Sequence, residues 1–336
     1  MKVAPGRLWM ALTALLLSTA TVGGFVVLDS PGRALPVEQT LLRPVARPAV
    51  QLQPTRRETV IVSRYQVRRP VTLKAKPRLR HVSADFVIST FNALGASHTA
   101  HHGSHARYAG GRSRARRAAE IVLSHDVSVV GFQELQAPQY NTFMAATGHR
   151  YSAYPGLSLG ALNTENSLVW RTADWTMLKA FPMSIPYFGG HHRLMPAVLL
   201  QNRATGLKAW FLNVHNPADT GAHKHQLRFR MAAMAKEAAT VDSLAATDGV
   251  PVFLTGDFNE REIAYCRFTR IGMVSASGGG GGCSPPHPTD IDWIFAKGGV
   301  TFSSYDQDGS RVVRRTTDHY VIFGTAHLAG TRRTAP

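Results

Sequence analysis

The sequence carries no Walker-type glycine loop and no zincin helix, so P-loop and zinc-peptidase chemistry are set aside. It has no internal repeat, which excludes a solenoid or propeller. Cysteine is scarce: Cys266 and Cys283 are the only two, too few for a disulfide-dense scaffold. In an exported chain such a pair reads as one disulfide closing a loop that contains the run Gly278 to Gly282. Two unpaired thiols are the competing reading. Acidic residues are few, 21 against 38 Lys and Arg, for a net charge of +17. That charge is uneven. Residues 1–83 hold fourteen basic against three acidic residues, which leaves +6 for everything after them. The high isoelectric point is therefore weak evidence for a nucleic-acid surface on the folded part.

With 336 residues, 44% of them hydrophobic, the chain is long enough for one large domain. The only long apolar run is at the N-terminus, Leu8 to Leu28, behind Lys2 and Arg7. Residues 1–29 are expected to be an export signal, either cleaved or kept as an anchor through residues 8–28. The flanking charges keep the N-terminus inside and send the rest to the cell surface or beyond. Residues 30–84 are rich in Pro and Arg and lack periodicity, apart from a short strand expected at Thr59–Val62. The segment reads as a disordered stem. A catalytic domain is expected over residues 85–327, with a disordered tail over 328–336.

One stretch organises that domain. The apolar run Val252–Leu254 reads as a buried strand, and Gly256-Asp257-Phe258-Asn259 follows it. Gly256 would permit a sharp exit. If the backbone stays extended, Asp257 and Asn259 point the same way, a fixed anion beside a neutral amide. An Asx turn suits the same residues, and this stretch alone does not separate the two readings.

The rest of the chain repeats the design. Asp85–Phe91 is an expected strand ending at Asn92, and Val127–Phe132 one ending at Gln133 and Glu134. Lys208–Val214 runs into His215, Asp290–Phe295 contains Asp292, and Asp318 and His319 precede the strand Tyr320–Phe323. Helices are expected over Arg112–Ser124, Asp219–Ala245 and Glu260–Phe268. The loop Ser97–His105 holds four histidines and reads as solvated, near enough to overhang a site. Carboxylates and amides at strand ends suit a hard, oxygen-seeking cation, and His with Asp suits charge neutralisation and proton transfer at phosphate.

In their order and spacing, Phe91-Asn92, Gly131–Glu134, Asn213–His215, Gly256–Asn259, Ile291–Ile294 and Thr317–His319 resemble the endonuclease/exonuclease/phosphatase superfamily, the deoxyribonuclease I-like fold. The resemblance implies an α+β domain, a four-layer α/β/β/α sandwich of two packed mixed β-sheets flanked by helices. It implies hydrolysis of phosphoesters by in-line attack of water with Mg²⁺ or Mn²⁺. By motif, Glu134 would hold the ion with Asn92 beside it, and Asp318 would be a second carboxylate on the metal side. Asp257 would orient or deprotonate the water, Asn259 would contact phosphate, and His215 and His319 would clamp its oxygens. Asp292 would orient His319. Asp290, before the Ile-Asp pair, and the glycine-rich loop depart from the familiar pattern and leave substrate choice open.

An exported, monomeric nuclease acting on DNA or RNA is the first expectation, with Arg112, Arg114, Arg116 and Arg117 as support. A phosphodiesterase or phosphatase for lipid head groups or small phosphoesters is the second, drawing on the N-terminal apolar run and on Tyr187 and Phe188 as exposed aromatics. A non-catalytic domain binding a surface polymer is the third; the intact set of polar strand ends argues against it.

Overall fold

The computed structural model describes residues 79–333. The expected signal or anchor, the strand at Thr59–Val62 and most of the expected stem lie outside those residues. Among the described residues no helix is long and apolar enough to cross a membrane.

The strands are β1 (Leu79–Asn92), β2 (Val127–Gln133), β3 (Tyr151–Tyr154), β4 (Leu168–Arg171), β5 (Trp175–Pro186), β6 (His192–Asn202), β7 (Lys208–His215), β8 (Val252–Asp257), β9 (Val274–Ser275), β10 (Asp292–Lys297), β11 (Thr301–Asp308) and β12 (Val321–Arg333). The helices are α1 (Gly111–Ser124), α2 (Ala137–Ala146), α3 (Ala161–Thr164), α4 (Leu227–Asp248), α5 (Glu262–Arg270) and α6 (Arg311–Arg314). The strands form two six-stranded mixed sheets, in the orders β11-β12-β1-β2-β4-β3 and β5-β6-β7-β8-β10-β9. Each sheet has one parallel pair at its centre, β1 with β2 and β7 with β8; all other neighbours are antiparallel.

Alternation along the strands builds three apolar layers. Phe86, Ile88, Val129, Phe211, Phe253, Ile294 and Ile322 meet between the sheets. Leu212, Leu254, Trp293 and Phe295 face outward onto α4 and α5 through Met234, Val241 and Phe268. Phe91, Val130 and Phe132 do the same toward α1 and α2 through Ala118, Ile121, Val122 and Phe143. Helix, sheet, sheet and helix are thus the four layers expected.

The folded domain is longer than its expected limits. Leu79–Ala84, placed by sequence in the stem, pairs with Leu328–Arg333, placed in the tail. Both segments are polar and their outer residues exposed, so no hydrophobic pattern announced them. Helix α4 starts later than expected. Asp219 Oδ1 accepts the Gln226 N–H and its carboxylate pairs with Arg230, which stabilises an irregular approach instead of a first turn. Cys266 and Cys283 form a disulfide, as expected.

Candidate active site

The parallel pairs place the chemistry. In a sheet whose two central strands run the same way, both carboxyl ends open at one edge. Asn92 ends β1, Glu134 follows β2, His215 ends β7 and Asp257 ends β8. The antiparallel neighbours bring their starts to the same edge. Asp292 opens β10 opposite Asp257, and His319 stands just before β12. Six polar strand ends from two sheets therefore meet on one side of the sandwich.

Below them the sheets are locked by polar contacts. Gln133 Nε2 donates to Asn213 Oδ1 at 2.6 Å, and Asn213 Nδ2 donates back to the Phe132 carbonyl at 2.7 Å. Gly131 is glycine for this reason: a Cβ there would lie 2.1 Å from Thr255 Oγ1 and 2.3 Å from Asn213 Oδ1. Gly256 is needed for a similar close approach, since its Cβ would meet the Val214 carbonyl at 2.4 Å. The expected sharp exit at Gly256 is corrected: it lies within β8, and the turn is made at Asn259, whose φ is +50°.

Asp257 is the focus. Its Oδ2 receives Asn92 Nδ2 at 3.1 Å, and lies 3.5 Å from His215 Nε2 and 3.8 Å from His319 Nε2. Asp292 Oδ2 pairs with His319 Nδ1 at 2.8 Å, so the imidazole is held from behind while its other nitrogen faces Asp257. Asn92 Nδ2 also reaches Glu134 Oε1 at 3.2 Å. Glu134 Oε2 accepts the Gly95 N–H at 2.8 Å and sits 3.3 Å from His98 Nε2. Glu134 has a left-handed backbone, φ +58°, as Asn259 does, a strain that side-chain partners must hold in place.

Electrostatics follow from burial and crowding. Burial raises the carboxyl of Asp257, and the nearby Asp292 raises it further. Burial likewise raises Asp292, against the pull of His319. Burial alone would lower His319, but Asp292 and Asp257 outweigh it and lift the imidazole well above its usual value. Burial pushes Glu134 up, yet His215, the Gly95 N–H, His98 and Asn92 together hold it below the ordinary carboxylate range. The result is an ionised Glu134 and a cationic His319 locked between two aspartates.

The residues fit a divalent cation. Two carboxylate oxygens, Glu134 Oε1 and Asp257 Oδ2, converge on the single amide nitrogen of Asn92. Asp292 Oδ1 is buried with no partner at all. Such an excess of oxygen acceptors is what a hard cation satisfies. Asp257 and Asp292 also bring carboxylate oxygens within 4.8 Å of each other.

Two expected residues have further partners. Asn259 gives its Nδ2 to the Asn216 carbonyl and its N–H to Asp257 Oδ1, so it braces the loop after β7. The Asx turn was the correct local reading there, and Asp257 serves both turn and site. Asp318 pairs with His105 Nε2 at 3.2 Å and is near enough to His319 to help raise it.

Asp318, Glu134 and His215 line a cavity of about 650 Å³ that continues past Arg193, Tyr187, Phe188 and His223. The expectation of exposed aromatics is corrected here. Tyr187 is buried, and Phe188 stacks on His223 with ring centroids 4.5 Å apart.

Sequence reasoning missed three contributors. His98 and His105 share the Ser104 hydroxyl through Nδ1, at 3.2 and 2.9 Å, and aim Nε2 at Glu134 and Asp318. Their loop was read as solvated and able to overhang a site; His98, His101 and His102 are exposed and His105 is half-buried. Arg114 was grouped with surface arginines; it is buried, donating to the carbonyls of Ala93, Gly95, Ala109 and Thr316. Gly156-Leu157-Ser158-Leu159-Gly160 has the spacing of a serine elbow, but Ser158 sits in a turn and donates to the Pro155 carbonyl.

Comparison with known proteins agrees with this architecture. Three solved structures share the fold. An endonuclease/exonuclease/phosphatase family protein from Bacteroides thetaiotaomicron is 18% identical at a TM-score of 0.58, over 74% of this chain and 97% of its own. A mannosyl-6-phosphatase from the same species is 18% identical at 0.56, over 72% and 99%. D. rerio TDP2 complexed with a single-strand DNA product is 15% identical at 0.51, over 72% and 99%. No curated protein matches. The Endonuclease/Exonuclease/phosphatase family model matches residues 89–319, an interval that takes in every polar strand end described above, and the chain belongs to that family.

Proposed function

We propose that the chain is an exported nuclease that hydrolyses phosphodiesters of DNA or RNA by in-line attack of water, with Mg²⁺ or Mn²⁺. The observation that supports it most is the convergence of His215 Nε2, His319 Nε2 and Asn92 Nδ2 on Asp257 Oδ2. That arrangement gathers one proton acceptor and two imidazoles at one point of the sheet edge, beside the cavity that His215, Glu134 and Asp318 line.

Glu134, with Asn92 beside it, would hold the cation, and Asp318 is a second carboxylate on that side of the cavity. When bound, the cation supplies charge neutralisation at the phosphoryl oxygens. Asp257, at the centre of the cluster, orients and deprotonates the attacking water. His319, kept cationic by Asp292, and His215, on the other side of Asp257, donate to the phosphoryl oxygens as charge builds. Asn259 acts through position alone, by bracing the Asn216 carbonyl beside His215.

The Cys266–Cys283 disulfide supports export, since such bonds persist in oxidising compartments. Anchoring through residues 8–28 and a monomeric state complete the reading. A second reading, a phosphatase or phosphodiesterase of small phosphoesters or lipid head groups, draws on the depth of the cavity beside Arg193 and the Phe188–His223 stack, and on the fold shared with a mannosyl-6-phosphatase. Release of acid-soluble nucleotides from DNA and RNA, measured beside phosphate release from a sugar phosphate and choline release from a phospholipid, separates the two. Turnover confined to the small ester or the lipid would overturn the nuclease reading.

A further inference from the structure

Beside the catalytic cavity lies a second recess, of about 440 Å³, lined by Arg107, Tyr108, Ala109, Arg117, Arg314 and Arg315. Four guanidinium groups converge there and no carboxylate lines it. Among the described residues the arginines in ion pairs are Arg171, Arg193 and Arg230, none of them from this recess.

Three of the four are anchored without being neutralised. Arg117 Nη1 donates to the Arg315 carbonyl at 3.0 Å, Arg314 Nη1 donates to the Gly309 carbonyl, and Arg107 lies over the Tyr108 ring at 5.6 Å. A guanidinium has five N–H donors, so each keeps several for another partner. Like charges gathered in one recess repel, and an anion relieves that repulsion.

The recess connects to the chemistry. Tyr108 has its ring centroid 6.1 Å from that of His105, and His105 pairs with Asp318 inside the catalytic cavity. Arg117 shares α1 with the buried Arg114, which ties down Ala93, Gly95 and Thr316. The two recesses are therefore fixed relative to each other by one helix and one ring contact.

We propose that this recess binds the phosphodiester backbone of a nucleic-acid strand that enters the catalytic cavity. The inference rests on the nuclease reading of the active site and adds a contact beyond the scissile linkage. A small phosphoester held at Asp257 does not extend this far, whereas a strand carries a phosphate at every nucleotide. Guanidinium forks suit phosphate oxygens, and the Tyr108 ring offers a face for a base. A concave recess also admits a flexible strand, whereas a bilayer presents its phosphates on a plane.

The test uses the full-length chain with chelator present, so that binding is read without cleavage. Affinity for a fluorescein-labelled single-stranded oligonucleotide is measured by anisotropy across a salt series, for wild type and for Arg107→Gln/Arg314→Gln/Arg315→Gln. Three lost phosphate contacts should lower the slope of log K against log salt by about two and weaken binding about tenfold or more. The matched triple Lys variant should keep the slope. With metal restored, the Gln variant should show a raised KM on the oligonucleotide and unchanged turnover of bis(p-nitrophenyl) phosphate. An unchanged slope overturns the proposal. So does an equal loss on the small ester, which would make these arginines structural. Loss of binding to phosphatidylglycerol vesicles with oligonucleotide binding intact overturns it in favour of a membrane. If the slope falls as stated but neither protein cleaves the oligonucleotide, the recess stands as a nucleic-acid site and the nuclease reading fails.

Discussion

The hydrogen bond between Asp292 Oδ2 and His319 Nδ1, 2.8 Å long, joins the two sheets at the active site. Asp292 opens β10 in one sheet, and His319 stands before β12 in the other. The pair orients the imidazole and sets its charge, so it links the fold directly to the proposed chemistry.

Asp292→Asn should lower turnover by about 10²-fold or more, through a lost charge and a disturbed tautomer. His319→Ala should cost nearly as much alone as with Asp292→Asn added, because the two act as one unit. Burial pulls the imidazole down and Asp292 is the strongest group lifting it, so in Asp292→Asn the alkaline limb of the kcat/KM profile should move to lower pH. Fully additive losses, or an unmoved alkaline limb, would separate the two residues.

Glu134→Gln preserves shape and removes the active-site carboxylate held below its ordinary range. The metal concentration needed for half-maximal activity should rise at least tenfold, with the melting temperature little changed. An unaltered metal titration would take Glu134 out of the cation site.

Glu237 is buried, with Oε2 facing Asn216 Nδ2 at 3.4 Å and Oε1 unpartnered. Burial is the main cause of a pKa raised to about 8 from the ordinary 4.5. A raised folded value means that its contribution to stability is complete below the unfolded value and is lost as pH climbs from about 4.5 to about 8. Denaturation of Glu237→Gln across that window should therefore show wild type losing up to a few kcal/mol relative to the variant. Parallel stability curves would show that Glu237 ionises without penalty.

Arg114→Ala takes a donor from four carbonyls, of which Ala93 and Gly95 keep another, and should destabilise the domain by about 3 kcal/mol, read from urea unfolding. Arg114→Lys should recover only part, because an ammonium cannot fork to carbonyls on three segments. Little loss in either variant would mean that the loops after β1 and before β12 hold without it.

Much of the fold was legible because the central strands are apolar runs ended by polar residues, which periodicity and motif order both register. Strands β5 and β11 were not, since their exposed and buried residues mix and their pairing comes from neighbours distant in sequence. The site core, Asn92, Glu134, His215, Asp257, Asp292 and His319, was readable from strand ends. The bond from Asn259 to the Asn216 carbonyl was not legible, because it follows from a left-handed φ that motif spacing does not reveal. His98, His105 and Arg114 were hidden because their roles depend on how a loop folds back and how a helix is rotated. Arg107 is far in sequence from the adjacent Arg314 and Arg315, and they converge only in the fold.

The central claim is that Asp257 and a bound divalent cation together hydrolyse phosphodiesters at this sheet edge. The direct measurement is cleavage of single-stranded DNA and RNA by metal-stripped protein titrated with Mg²⁺ and Mn²⁺, for wild type and Asp257→Asn. The account predicts no cleavage without metal, recovery on its return, and a loss of about 10³-fold or more in the variant at every metal concentration. Cleavage that persists under chelation, or an Asp257→Asn protein as active as wild type, would contradict it.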